Sequence, residues 1–168
     1  YEGYKITNGK PALCGLPAVY AEAGDDIETL TLTFADKLSG LKMELSYSVL
    51  YDYDVITRSV RYTNGGKNTL HLLAAHSACV DFAGSDYKLL HLHGDWLRER
   101  NMEFVDVSHG IYTVDSKRGM SSHTNNPFVA LMDKNADEYT GNVYGFSLVY
   151  SGNFAAECEV SSCGATRV

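Results

Sequence analysis

From Glu28 onward the chain alternates apolar and polar residues with a period of two. The run TLTLTF sets Leu30, Leu32 and Phe34 on one face of an extended strand and Thr29, Thr31 and Thr33 on the other. A helix repeats every 3.6 residues and would scatter these side chains around its circumference, so the period predicts sheet. The segment DKLSG (36–40) is a turn. LKMELSYSV then resumes the alternation, with Leu41, Met43, Leu45, Tyr47 and Val49 expected inward and Lys42, Glu44, Ser46 and Ser48 outward. Two such runs joined by a short glycine-containing link form a hairpin.

The pattern recurs along the chain. VITRSVRY (55–62) ends at Asn64-Gly65-Gly66, a turn signal, and TLHLLAAHSACV (69–80) follows as another expected strand. Further expected strands are YKLLHLHG, IYTVDS, NPFVALMD, VYGFSLVY and NFAAECEV, and no window sustains helical periodicity. Short strands at this spacing predict an all-β, antiparallel β-sandwich. With no internal repeat, low-complexity tract or linker, residues 1–168 are expected to form a single domain.

Composition narrows the partners. Fourteen basic against 21 acidic residues, net −7, argues against nucleic acid, whose phosphates attract basic faces. No apolar run approaches the roughly 20 residues of a membrane-spanning helix. The chain begins at Tyr1 and ends in GATRV, without an initiator methionine or a recognisable signal peptide, and is expected to be a piece of a longer protein. Cys14, Cys79, Cys158 and Cys163 contain no CxxC pair and no partner set for zinc. They read as reduced, mostly buried thiols of a cytoplasmic protein. Twelve tyrosines and one tryptophan suit a sugar-binding or interface surface, although tyrosine is also a good strand residue.

Four groups of residues invite a chemical reading. His91 and His93 in HLH share a strand face, as two metal ligands would, but a third ligand is not identifiable beyond Asp86 or Asp95, and no metal or other cofactor is expected. The stretch RGMSSHTNNPF (118–128) gathers Arg118, Ser121, Ser122, His123 and Asn126, the residue types of an acyl-transfer site. Adjacent residues on an extended chain point to opposite faces, and no GxSxG elbow occurs, so a Ser-His triad is not expected. Asp25-Asp26, and Asp52 with Asp54 on one strand face, read as solvated acids rather than as a glycosidase pair across a cleft. In GDWLRER (94–100), a strand would turn Trp96, Arg98 and Arg100 one way and Asp95, Leu97 and Glu99 the other. That tryptophan either stacks on a sugar or anchors an interface, or else it is half-buried beneath arginine stems.

The succession GKPALCGLPAVYAE, DVITRSVRYTNGG, GDWLRER, SKRGMSSHTNNPF and VYGFSLVYSGNF strongly resembles the N-terminal β domain of glycoside hydrolase family 36 α-galactosidases, in order, from Gly9 to Val168. The resemblance implies an N-terminal β-supersandwich (galactose mutarotase-like) followed by a (β/α)8 barrel and a C-terminal β-sandwich. It implies removal of terminal α-galactosyl residues from melibiose- and raffinose-type sugars by retaining double displacement. Both catalytic aspartates belong to the barrel, which needs about 250 residues and shows no βα alternation here. No catalytic residue is therefore expected in this chain, which alone should be inactive, and the family needs no metal or organic cofactor.

The resemblance further implies a role in scaffolding, subunit assembly and shaping the active-site rim. Partners would be galactosides through the parent enzyme, the chain's own barrel, and further copies in a homo-oligomer, a tetramer in some members. Rim or interface candidates are Trp96, Arg98, Arg100, Arg118, Ser121, Ser122, His123 and Asn126. Thr124-Asn125 departs from the glutamine and histidine that family members often carry there. An independent carbohydrate-binding β-sandwich module is the alternative.

Overall fold

Twelve strands make up all the regular structure of residues 1–15, 19–22 and 24–168, the residues described by the computed structural model. Part of the GKPALCGLPAVYAE block, at 16–18, lies outside the described residues. The strands are β1 (Gly3–Asn8), β2 (Ile27–Ala35), β3 (Leu41–Leu50), β4 (Val55–Asn64), β5 (Asp81–Phe82), β6 (Tyr87–Asp95), β7 (Arg98–Asp106), β8 (Gly110–Ser116), β9 (Asn125–Asp133), β10 (Val143–Ser147), β11 (Phe154–Val160) and β12 (Thr166–Arg167). Every pairing between them is antiparallel. The chain divides into two compact units, Tyr1–Ala78 and Cys79–Val168.

The first unit is a four-stranded meander, β1-β2-β3-β4, whose register runs without interruption. Its alternation is as the sequence predicts, but its burial is inverted. Thr29, Thr31 and Ser48 are buried, with Thr29 and Ser48 each 2% exposed, whereas Leu30, Leu32, Met43 and Leu45 are only half-buried. Ser48 and Ser46, expected outward, thus lie on the more deeply buried face.

The cause is hydrogen-bond satisfaction. Thr29 sits opposite Ser48 and Thr31 opposite Ser46. Thr29 Oγ1 donates to the Gly9 carbonyl (2.7 Å), so the Ser48 hydroxyl donates to Thr29 Oγ1 at 2.7 Å, and Thr31 and Ser46 meet at 3.3 Å. Hydroxyls that pair across a ladder can be buried without an orphaned polar group.

Turns complete this unit. Gly40, at φ 76°, closes the DKLSG turn, and a Cβ there would lie 2.7 Å from the Gly66 backbone, so the first turn nests against Asn64-Gly65-Gly66 only because both carry glycine. Asp52 and Asp54 lie exposed in the β3–β4 turn rather than on a strand face, a correction to the strand reading of YDYD. Residues 69–80 form no strand: paired apolar residues at Leu72-Leu73 break the alternation, Leu73 is fully exposed, and the segment carries the chain from one unit to the other.

The second unit is a sandwich of two sheets, β10-β9-β6-β7 and β5-β12-β11-β8. Leu89, Val129 and Leu131 from one sheet pack with Val114, Phe154 and Cys158 from the other to form a dry core. Alternate residues of β9 and β11 face it, as their period of two requires. Full burial of each such side chain contributes about 1.5–3 kcal/mol.

Of the four cysteines only Cys158 is buried, and Cys14, Cys79 and Cys163 are exposed, contrary to the expectation of mostly buried thiols. Those three lie outside the strands, where no core face awaits them. All four are free. No helix of the described residues is long and apolar enough to cross a membrane.

Candidate functional site

The register of β6 breaks on both sides near its C-terminal end. Toward β7 it pairs His93 with Asn101 and Asp95 with Arg98, so Gly94 faces two residues, Glu99 and Arg100. Toward β9 it pairs His91 with Val129 and His93 with Asn125, so Leu92 faces three residues, Asn126, Pro127 and Phe128. Both are β-bulges, which re-aim side chains by unpairing the strand locally. Proline cannot donate to a ladder, which suits Pro127 to such a site.

Gly94 is required by the first bulge, since a Cβ there would lie 2.7 Å from the Glu99 Cα. Arg100 (φ 59°) and Leu97 (φ 62°) occupy the left-handed region, which costs a residue with a Cβ about 1–2 kcal/mol. The GDWLRER stretch is accordingly a tight turn and a bulge, not a continuous strand, and its period-two facing does not hold. Trp96 caps the turn at 76% exposure, its backbone N–H donating to Asp95 Oδ1 at 2.7 Å, and is not covered by arginine stems.

The loop 117–124 folds over this broken register. Arg118 Nη1 donates to Thr124 Oγ1 (3.1 Å), Gly119 N to Asn153 Oδ1 (2.6 Å) and Ser121 N to the Ser151 carbonyl (3.0 Å). Gly94 N reaches the Thr124 carbonyl at 3.3 Å, and Asn125 Nδ2 donates to the Asp115 carbonyl at 2.9 Å. Together the bulges and the loop enclose an open depression of about 660 Å³ lined by Glu99, Arg100, Ser121, Ser122, His123, Asn126 and Pro127.

Five of the eight candidate residues therefore meet in one place: Arg100, Ser121, Ser122, His123 and Asn126. Trp96, Arg98 and Arg118 do not line it. Arg98 belongs to the turn, where its carbonyl accepts from Asn101 Nδ2, and Arg118 braces the loop. Glu99 and Pro127 were missed. The Asn-Pro pair inside an otherwise regular strand was the available signal for a bulge.

The parts do not assemble as a hydrolytic triad. Ser122 Oγ accepts from Thr124 N at 3.2 Å as a local turn, and the His123 Nε2 lies 3.7 Å from the exposed Asp95 carboxylate. His91 and His93 do share a face, with ring centroids 5.9 Å apart, but each has its own partner. His91 Nε2 meets the Tyr112 hydroxyl at 3.1 Å, linking β6 to β8, and His93 Nε2 lies 3.2 Å from Glu103. Burial holds the His91 pKa below its ordinary 6.5, only partly countered by Glu103. Among the described residues no group of three His, Cys, Asp or Glu is placed to hold a metal ion.

The fold and this site define a class: an all-antiparallel β domain with a polar, loop-walled depression at the bulged end of one sandwich. The family model described as the glycosyl hydrolase family 36 N-terminal domain matches residues 1–168. The chain belongs to that family.

Over 168 residues it is 49% identical to the α-galactosidase AgaA of Geobacillus stearothermophilus, covering all of this chain and 23% of that protein. It is 44% identical to α-galactosidase C of Emericella nidulans, covering 99% of this chain and 22% of that protein. The crystal structure of AgaA superposes with a TM-score of 0.96, over 100% of this chain and 23% of that one. Variants of AgaA have been crystallised with raffinose and with stachyose. The chain thus spans less than a quarter of the length of these relatives.

Proposed function

We propose that this chain is the non-catalytic N-terminal domain of a retaining α-galactosidase that removes terminal α-galactosyl residues from melibiose- and raffinose-type sugars. The observation that carries the reading is the family match over the whole chain, with 49% identity to an α-galactosidase and a TM-score of 0.96 to its structure, confined to 23% of that relative. In this reading residues 1–168 act as one domain that scaffolds a catalytic (β/α)8 barrel and assists assembly of a homo-oligomer. Arg100, Ser121, Ser122, His123 and Asn126 contribute to a rim that contacts sugar or a neighbouring subunit, with Trp96 and Arg98 on the adjoining turn and Arg118 supporting the loop. A cytoplasmic location is proposed with it, supported by the three exposed free thiols.

A nitrophenyl α-galactoside assay tests the reading. The purified chain should show no turnover, while the protein encoded by its complete gene should release nitrophenol with the galactose first formed as the α anomer. Turnover by the chain itself, or a complete protein inert toward α-galactosides, would overturn it.

A further inference from the structure

We infer that the depression between the two bulges is a saccharide subsite that takes the hydroxyls of a neutral sugar. The inference deepens the proposed function and rests on it for the sugar offered as probe. Its physical basis lies in how the depression is built and what lines it.

One interruption of register lies at Gly94 on the β7 side and the other at Leu92 on the β9 side, two positions apart on β6. The first sends Glu99 and Arg100 to the depression, and the second sends Asn126 and Pro127. The first also holds Arg100 at φ 59°, where glycine would be unstrained. Strain of this kind persists where the surrounding structure over-determines it, and it concentrates at ligand clamps. The strained residue is one of those lining the depression, and its side chain ends in a guanidinium, a planar array of donors.

The lining selects among ligands. Glu99 only accepts hydrogen bonds, Arg100 only donates, and Ser121, Ser122, His123 and Asn126 do either. A sugar hydroxyl is both donor and acceptor, so each one finds a partner in such a set. The formal charges of Glu99 and Arg100 cancel, which disfavours phosphate through Glu99 and a divalent cation through Arg100. Ser122 Oγ uses an acceptor site on Thr124 N and keeps its proton to donate. Pro127 supplies an apolar wall for C–H groups, and Trp96 stands on the adjoining turn with its indole face open.

The test is a residue-resolved NMR titration of the chain with raffinose, with inorganic phosphate and calcium chloride as separate arms. Saturable shifts should appear at Arg100, Ser122, His123 and Asn126, with a Kd on the order of millimolar, as a shallow polar site affords. Arg100→Asn, which tolerates positive φ, should weaken the response about tenfold, and Ser122→Ala should weaken it by a smaller factor in a protein with an unchanged spectrum. Absence of saturation at tens of millimolar raffinose, shifts confined to other residues, equal affinity in both variants, or tighter binding of phosphate or calcium would each overturn the subsite. The activity of the complete protein is read separately. An active complete protein with a silent chain removes only the subsite, and an inert complete protein with a responsive chain removes only the α-galactosidase reading.

Discussion

The meander and the sandwich use the same strand chemistry to opposite ends. In β3–β4 ten consecutive residue pairs follow one register, and in β2–β3 nine do. On their buried face Thr29 meets Ser48 and Thr31 meets Ser46. In the sandwich, β6 keeps register over its apolar half, from Lys88 to His91, and loses it on both sides beyond. The regular half builds the dry core with Leu89, and the irregular half builds the polar depression. An unbroken ladder satisfies its own polar groups, whereas a bulge releases some of them for something else.

The largest expected effect lies in the regular half. Leu131, fully buried in the core, should cost about 2–5 kcal/mol when replaced by alanine, whereas Leu45→Ala in the half-buried face of the meander should cost clearly less. Urea unfolding of the two variants checks the ordering, and equal losses would show that the two units are stabilised alike.

Next comes the hydroxyl ladder. Thr29→Val removes the donor to the Gly9 carbonyl and strands the Ser48 hydroxyl, for about 1–3 kcal/mol. Ser48→Ala leaves the Gly9 bond in place and should cost about 1 kcal/mol. A double-mutant cycle reads the coupling, which should be clearly non-zero for a buried pair 2.7 Å apart.

Arg100→Gly should act in the other direction. It relieves the positive φ and should stabilise the chain by about 1 kcal/mol while weakening the response to raffinose. A destabilised variant would show that Arg100 serves packing rather than a ligand.

His91 gives a pH dependence. Its folded-state pKa lies below the ordinary 6.5 chiefly because it is buried, so the unfolded chain binds more protons between the two values. Its contribution is intact above 6.5 and is lost as pH falls from there toward the folded-state value. Glu103 opposes this loss, His93 adds to it, and Tyr112 Oη is the group bonded to the ring. His91→Gln should flatten that acid limb of the stability curve, as followed by thermal unfolding at stepped pH.

The smallest effect is kinetic. Burial pushes the Cys158 thiol up to about 11, whereas hydrogen bonding with Ser161 lowers that of the exposed Cys163. Iodoacetamide should therefore modify Cys163 early and Cys158 only on unfolding, as mass spectrometry would show.

Much of this fold is legible in the sequence alone. The period of two gave the all-strand class and most of the strands, because alternation records the pleat directly. It failed where polar residues pair with one another: nothing in TLTLTF says that its threonines, not its leucines, lie on the more buried face, since that depends on serines 15 and 19 positions away. It failed again at GDWLRER, where a positive φ at Leu97 and Arg100 breaks the alternation without a glycine at either position to announce it. The residue types of RGMSSHTNNPF marked the site correctly as a gathering of polar groups. That Glu99 and Arg100 join them is a property of register across three strands, which no single segment encodes.

The central claim is that the bulge, and not merely the residues around it, makes the site. The most direct measurement is a raffinose titration of the chain with Arg100 deleted, which restores one-to-one pairing of β7 with β6 opposite Gly94. A folded deletion variant with no saturable response, beside Arg100→Asn, which lacks the guanidinium but keeps the bulge and still saturates about tenfold more weakly than wild type, is the predicted result. Equal responses in the deletion variant and Arg100→Asn, or none in the wild-type chain, would contradict it.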